Sequence, residues 1–89
     1  MTNIYTSDFL LPTDNSVDYL ITRIELNSSI HMNVFRYNSS NELIEELIFA
    51  RGYFENGNCP EDKTRIRVFL NNGQISPTDK IKVELNTIY

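Results

Sequence analysis

Lys63-Thr64-Arg65-Ile66-Arg67-Val68-Phe69-Leu70 alternates without a break: Ile66, Val68 and Leu70 fall on one side, Arg65, Arg67 and Phe69 on the other. Successive side chains of a strand point to opposite faces, so this run reads as a strand with one apolar and one polar side. Lys80-Ile81-Lys82-Val83-Glu84-Leu85 repeats the pattern, with Ile81, Val83 and Leu85 set against Lys80, Lys82 and Glu84. One buried face and one wetted face is what an antiparallel sheet packed on a core requires.

Outward from these strands the chain stays strand-like. Asn71-Asn72-Gly73 supplies residues that tolerate positive φ, and Pro77 and Asp79 mark a further bend. Residues 17–26 carry Val17, Tyr19 and Ile21 on one side and Leu20, Ile24 and Leu26 on the other, which predicts a central strand. Asn27-Ser28-Ser29 makes a turn, and Ile30, Met32 and Val34 then alternate against Phe35 and Tyr37. Asn38-Ser39-Ser40-Asn41 is the next turn. The first 16 residues read as an extended arm and a loop, with Phe9-Leu10-Leu11 stopped by Pro12. Residues 52–62, holding Gly52, Gly57 and Pro60, read as a polar connection.

The segment after Asn41 has two readings. Ser39 and Glu42 have capping-box spacing, and Leu43, Ile44, Leu47 and Ile48 form a helical stripe closed by Gly52. Alternatively, residues 37–44 are a hairpin and residues 42–53 a strand. Strands on both sides favour the second reading, because tertiary context overrides local propensity. The expectation is an all-β chain, a small antiparallel β-sandwich or jelly roll, with a short helix around 40–51 as the open alternative.

The 89 residues make a single domain, 1–89. A domain of this size buries only roughly 60–65% of the surface of its unfolded chain. A small sandwich leaves unpaired strand edges that must be blunted or covered. Lys80 and Lys82 are candidates to blunt an edge, and the Phe9-Leu10-Leu11 arm is a candidate to cover one, on its own sheet or a neighbour's. Size and edges together predict self-association, as a dimer.

Composition excludes more than it assigns. Eight basic residues against 12 acidic ones leave a net charge of −4, which argues against nucleic acid as partner. No apolar run approaches the roughly 20 residues that span a bilayer, so no membrane partner is expected. The lone Cys59 cannot form an internal disulfide, and with His31 the sole histidine the usual zinc ligand sets are out of reach. A Cys59–His31 nucleophile pair is a remote alternative to a small loop thiol. Glu45-Glu46 and Glu61-Asp62 are adjacent in sequence, and neighbours on one strand point apart, so they cannot flank one glycosidic bond. Asp14, Asp18, Glu61 and Asp62 lack calcium-loop spacing. No catalytic residue, metal or cofactor is expected.

Ten Tyr and Phe residues and many asparagines remain. Sugars are held by aromatic faces fenced with amide, carboxylate and guanidinium groups. Tyr5, Tyr37, Tyr53 and Phe54 lie near turns or strand ends, whereas Tyr19, Phe35, Phe49 and Phe69 are expected in the core. Arg65 and Arg67 share a strand face and present forks that match carboxylate and phosphate. The competing expectation pairs them with Glu25, Glu84 or another cross-strand acid. The ligand candidates are therefore Tyr37, Tyr53, Arg65 and Arg67. Asn27-Ser28-Ser29 and Asn38-Ser39-Ser40 match the glycosylation sequon but read as turns.

Two stretches carry a resemblance. Val34-Phe35-Arg36-Tyr37-Asn38-Ser39-Ser40-Asn41-Glu42-Leu43-Ile44 is similar to the hairpin of phage structural and cell-wall-directed β-sandwiches. Lys63 to Gly73, followed by Ile81-Lys82-Val83-Glu84-Leu85, resembles their closing strands. Over nearly its full length the chain resembles the C-terminal module of clostridial phage endolysins. That resemblance implies a non-catalytic targeting module whose parent enzyme, a peptidoglycan amidase, carries its catalytic domain on the N-terminal side. It implies a cell-wall glycopolymer or peptidoglycan ligand, and residence in the host cytoplasm until lysis and at the wall thereafter. It carries no binding residue over position by position. The other classes compatible with the composition are a free-standing acidic inhibitor or immunity protein, and a tail or baseplate sandwich fragment.

Overall fold

The computed structural model describes residues 2–48, 50–71 and 75–88. Phe49 and the Asn72-Gly73 turn lie outside them. The described residues form seven strands and no helix: β1 (Thr2–Thr6), β2 (Ser16–Thr22), β3 (Ile30–Tyr37), β4 (Leu43–Glu46), β5 (Arg51–Glu55), β6 (Lys63–Phe69) and β7 (Lys80–Thr87). One sheet has the order β1-β7-β3-β4 and the other β2-β6-β5, and every pairing is antiparallel. The chain is an all-β sandwich.

The alternation of β6 and β7 becomes the core. Ile66 and Val68 of β6 and Ile81, Val83 and Leu85 of β7 are completely removed from water. Val17 and Ile21 of β2, Ile30 and Val34 of β3, and Leu47 and Leu70 join them. At roughly 1.5–3 kcal/mol for each large aliphatic side chain, this burial is the main force holding the two sheets together.

The segment from 42 to 53 is neither a helix nor one strand. It is two short strands in different sheets, β4 beside β3 and β5 beside β6. The switch occurs at Leu47, whose side chain is buried, whose N–H donates to the Val34 carbonyl (2.7 Å) and whose carbonyl accepts from Ala50 (3.1 Å). A helix would have gathered Leu43, Ile44, Leu47 and Ile48 on one buried face, but only Leu47 reaches the core. The polar connection expected from residue 52 accordingly starts only after β5. The β3–β4 turn is closed by Asn38, whose Oδ1 accepts from the N–H groups of Ser40 (2.9 Å) and Glu42 (3.0 Å), with Asn41 at φ 62°.

Three further expectations change. Residues 17–26 do not make a central strand: β2 is an edge strand ending at Thr22, its outward Leu20 is exposed, and Ile24 and Leu26 pack beyond its end. The arm contains a strand, β1, paired with β7. Lys80 and Lys82 blunt no edge, because β7 lies between β1 and β3. The arm does dock on its own sheet, where Leu10 and Ile81 exchange backbone hydrogen bonds (2.8 and 2.9 Å).

At one rim of the sandwich the buried Asp79 carboxylate accepts from Arg36 Nε (2.8 Å) and from the Ser76 N–H (2.8 Å). Arg36 also reaches Glu45 (3.3 Å). The Ser76 N–H, assisted by Arg36, holds the Asp79 carboxyl below its ordinary range. A depressed folded-state pKa stabilises the fold above the unfolded value of about 4, and that contribution is lost as pH falls through the folded value. Asp79→Asn should cost about 1–3 kcal/mol at pH 7 in urea unfolding. The gap to the native chain should narrow below about pH 4, as the unfolded chain's carboxyl takes up its proton, and close at the lower pH where the native carboxylate is protonated in turn.

Candidate functional site

The strict alternation that buries Ile66 and Val68 forces Arg65, Arg67 and Phe69 onto the outward face of the three-stranded sheet. The register sets Tyr53 and Asp18 on either side of Arg67, Glu55 and Leu20 beside Arg65, and Arg51 and Ser16 beside Phe69. The Tyr53 and Phe69 rings lie 6.3 Å apart with their planes inclined at 35°. The Arg67 guanidinium sits 5.6 Å from the Tyr53 ring centre. Both rings face solvent, at 38% and 45% exposure, so together they offer an open apolar platform.

Asp18 orders the arginines. Its Oδ2 accepts from Arg67 Nε (3.0 Å) and from a second Arg67 nitrogen, and its Oδ1 lies 3.6 Å from Arg65 Nε. The hydrogen bond to Asp18 raises the Arg67 pKa further above neutrality, so the guanidinium is charged at every physiological pH. The cross-strand acid expected for these arginines is thus Asp18, whereas Glu84 lies on the other sheet. Arg65 Nε is buried and has no hydrogen-bond partner among the described residues, since 3.6 Å is beyond hydrogen-bond reach. The surface therefore combines two tilted rings, guanidinium donors and a carboxylate acceptor, an arrangement suited to stacking and hydrogen bonding a polar ring.

Three of the sequence candidates, Tyr53, Arg65 and Arg67, share this face. Tyr37 does not. It lies on the outward face of the four-stranded sheet, on the far side of the core, where Phe9 packs edge-on against it at 5.0 Å. Phe69 was expected in the core and is instead a platform ring; its position in the alternation, on the arginine side, is the signal that places it outward. Asp18 lacked such a signal, because its role depends on the pairing of strands far apart in sequence.

The remaining chemistry-bearing residues stay apart. Cys59 Sγ is half-buried and lies against the carbonyls of Asn56 (3.1 Å) and Lys63 (3.3 Å), while His31 is exposed on the four-stranded sheet. Glu45 turns to Arg36 and Glu46 to Asn33 (2.9 Å), on opposite faces of β4. Among the described residues no three His, Cys, Asp or Glu side chains gather as a metal site. No protein family, curated protein or solved structure matches the chain.

Surface ion pairs contribute little to stability, so the Asp18 carboxylate serves to orient rather than to stabilise. Asp18→Ala should leave the thermal midpoint nearly unchanged. In the nitrogen-15 NMR spectrum it should quicken solvent exchange of the Arg67 Nε–H.

Proposed function

We propose that this chain is a non-catalytic module that binds bacterial cell-wall glycopolymer and directs a peptidoglycan hydrolase, an amidase, to the clostridial wall during phage lysis. The observation that carries the reading is the Tyr53–Phe69 platform with Arg67 and Asp18 beside it. Sugar C–H groups stack on aromatic faces, and their hydroxyls need both donors and acceptors at the edge of the ring. The resemblance to clostridial endolysin C-terminal modules supports the choice of a wall polymer over other glycans. In this reading the module waits in the host cytoplasm and acts at the wall once lysis begins.

Self-association belongs to the same proposal. The edge strand β4 carries exposed Leu43 and Ile44, and Ile48 beyond it is 70% exposed. Unpaired edges with apolar side chains are covered by a second copy or by a neighbouring domain. A dimer would present two platforms to a repeating polymer, raising avidity through effective concentration.

The test is sedimentation of the fluorescently labelled chain with purified clostridial walls, beside walls stripped of secondary polysaccharide. The native chain should pellet with intact walls only and release no muropeptide. Tyr53→Ala combined with Phe69→Ala should reduce pelleting at least tenfold, with an unchanged circular dichroism spectrum. Equal recovery on both kinds of wall, or on neither, would contradict the proposal.

A further inference from the structure

We propose that the outward face of the four-stranded sheet holds a second ligand site, formed by Phe9, Tyr37, Lys80 and Lys82, which takes the anionic group of a charged sugar. The choice of a glycan rests on the reading above; the preference for an anion rests on the lysines.

The site is assembled by the arm. Leu10 is locked to Ile81, and this holds Phe9 over the outward side of β7. The Phe9 ring meets Tyr37 edge to face, with an interplanar angle of 80°. Lys82 Nζ lies 4.4 Å from the Phe9 ring centre and 5.8 Å from that of Tyr37, and Lys80 Nζ lies 5.7 Å from Phe9. Both ammonium groups thus lie against the Phe9 ring, and Lys82 reaches Tyr37 as well.

Neither ammonium makes an ion pair with a described residue. Among the described residues the ion pairs are made by Arg36, Arg65 and Arg67, and none by a lysine. Lys80 donates to Asn41 Oδ1 (2.7 Å), a neutral acceptor, and among the described residues Lys82 makes only ring contacts. This occurs in a chain with 12 acidic and 8 basic residues, where carboxylates are plentiful. An anion placed at the Phe9 ring would lie within reach of both positive charges.

The same face limits what fits. Glu84 follows Lys82 on this side of β7, opposite Asn33 and Thr6. Asn3, Asn86 and Asn33 then pass hydrogen bonds across the sheet to Glu46 (3.0, 3.1 and 2.9 Å). The face is therefore polarised, cationic and aromatic at one end, amide and acidic at the other. A dense polyanion would meet the acidic end and the net charge of −4. A glycan with isolated carboxylates or phosphates can set its charge on the lysines, its ring on Phe9 and its hydroxyls toward the amides.

The experiment is affinity electrophoresis of the full chain in gels containing sparsely carboxymethylated dextran, sparsely phosphorylated dextran or neutral dextran. The first two polymers separate a carboxylate ligand from a phosphate ligand. At low salt the native chain should be retarded at least tenfold more strongly by one or both charged dextrans than by neutral dextran. Added salt should weaken this retardation. The double substitution Lys80→Gln, Lys82→Gln should remove the preference, and so should Phe9→Ala. Lys63→Gln, which removes a lysine charge from the opposite sheet, should leave it intact. Equal retardation by all three polymers, or full retention of the preference in the double variant, overturns the inference. Intact-wall binding that persists with no preference for charged dextran leaves the wall-targeting proposal standing and this site refuted. A lysine-dependent preference without wall binding does the reverse.

Discussion

Five apolar side chains, Ile66 and Val68 on β6 and Ile81, Val83 and Leu85 on β7, are completely out of water, and the remainder of the fold is arranged around their contact. They come from the central strand of one sheet and an inner strand of the other, so each sheet is anchored through the strand that most of its neighbours pair with. Truncating any of the isoleucines or Leu85 to alanine would be expected to cost about 2–5 kcal/mol, a large share of the stability of a small domain. Because side chains of a strand alternate, fixing these residues inward also fixes Arg65, Arg67, Lys80 and Lys82 outward. Core and candidate binding surfaces are two consequences of one pattern.

The close approach of the sheets imposes a second constraint. A Cβ at Gly52 would lie 2.5 Å from Met32 Sδ and 3.1 Å from the Arg67 carbonyl, so any larger residue there must push the Met32 side chain aside and press on β6. The pairing of β5 with β6 brings Tyr53, the next residue, outward beside Arg67. Burial has a cost as well. The Tyr19 hydroxyl lies between the sheets with no hydrogen-bond partner among the described residues, and its removal from water, with Tyr5 nearby, pushes its pKa well above the ordinary phenol range.

The two strands with strict alternation were legible because every residue in them obeys one period. The segment from 42 to 53 was not, because its apolar residues fit a helical stripe and its decisive event, the exit from one sheet at Leu47, depends on the Val34 carbonyl brought near by tertiary folding. The edge position of β2 was hidden for a related reason: Leu20 makes its outward side look buried, but it is exposed. Arg65 and Arg67 share a face because the alternation predicted their side, and Tyr53, chosen by residue type, joins them through the pairing of β5 with β6. Tyr37 was grouped with them by residue type alone, and the topology put it on the other sheet. Phe9 and the lysines were read as edge protection, since sequence cannot reveal that β1 covers β7.

The most direct measurement is a nitrogen-15 NMR titration of the chain with solubilised clostridial wall polysaccharide. The account predicts shift changes concentrated at outward positions of β5 and β6, Arg51, Tyr53, Arg65, Arg67 and Phe69, with inward Ile66 and Val68 little altered. No shift on saturation with the polysaccharide, or shifts confined to residues remote from that face, would contradict it.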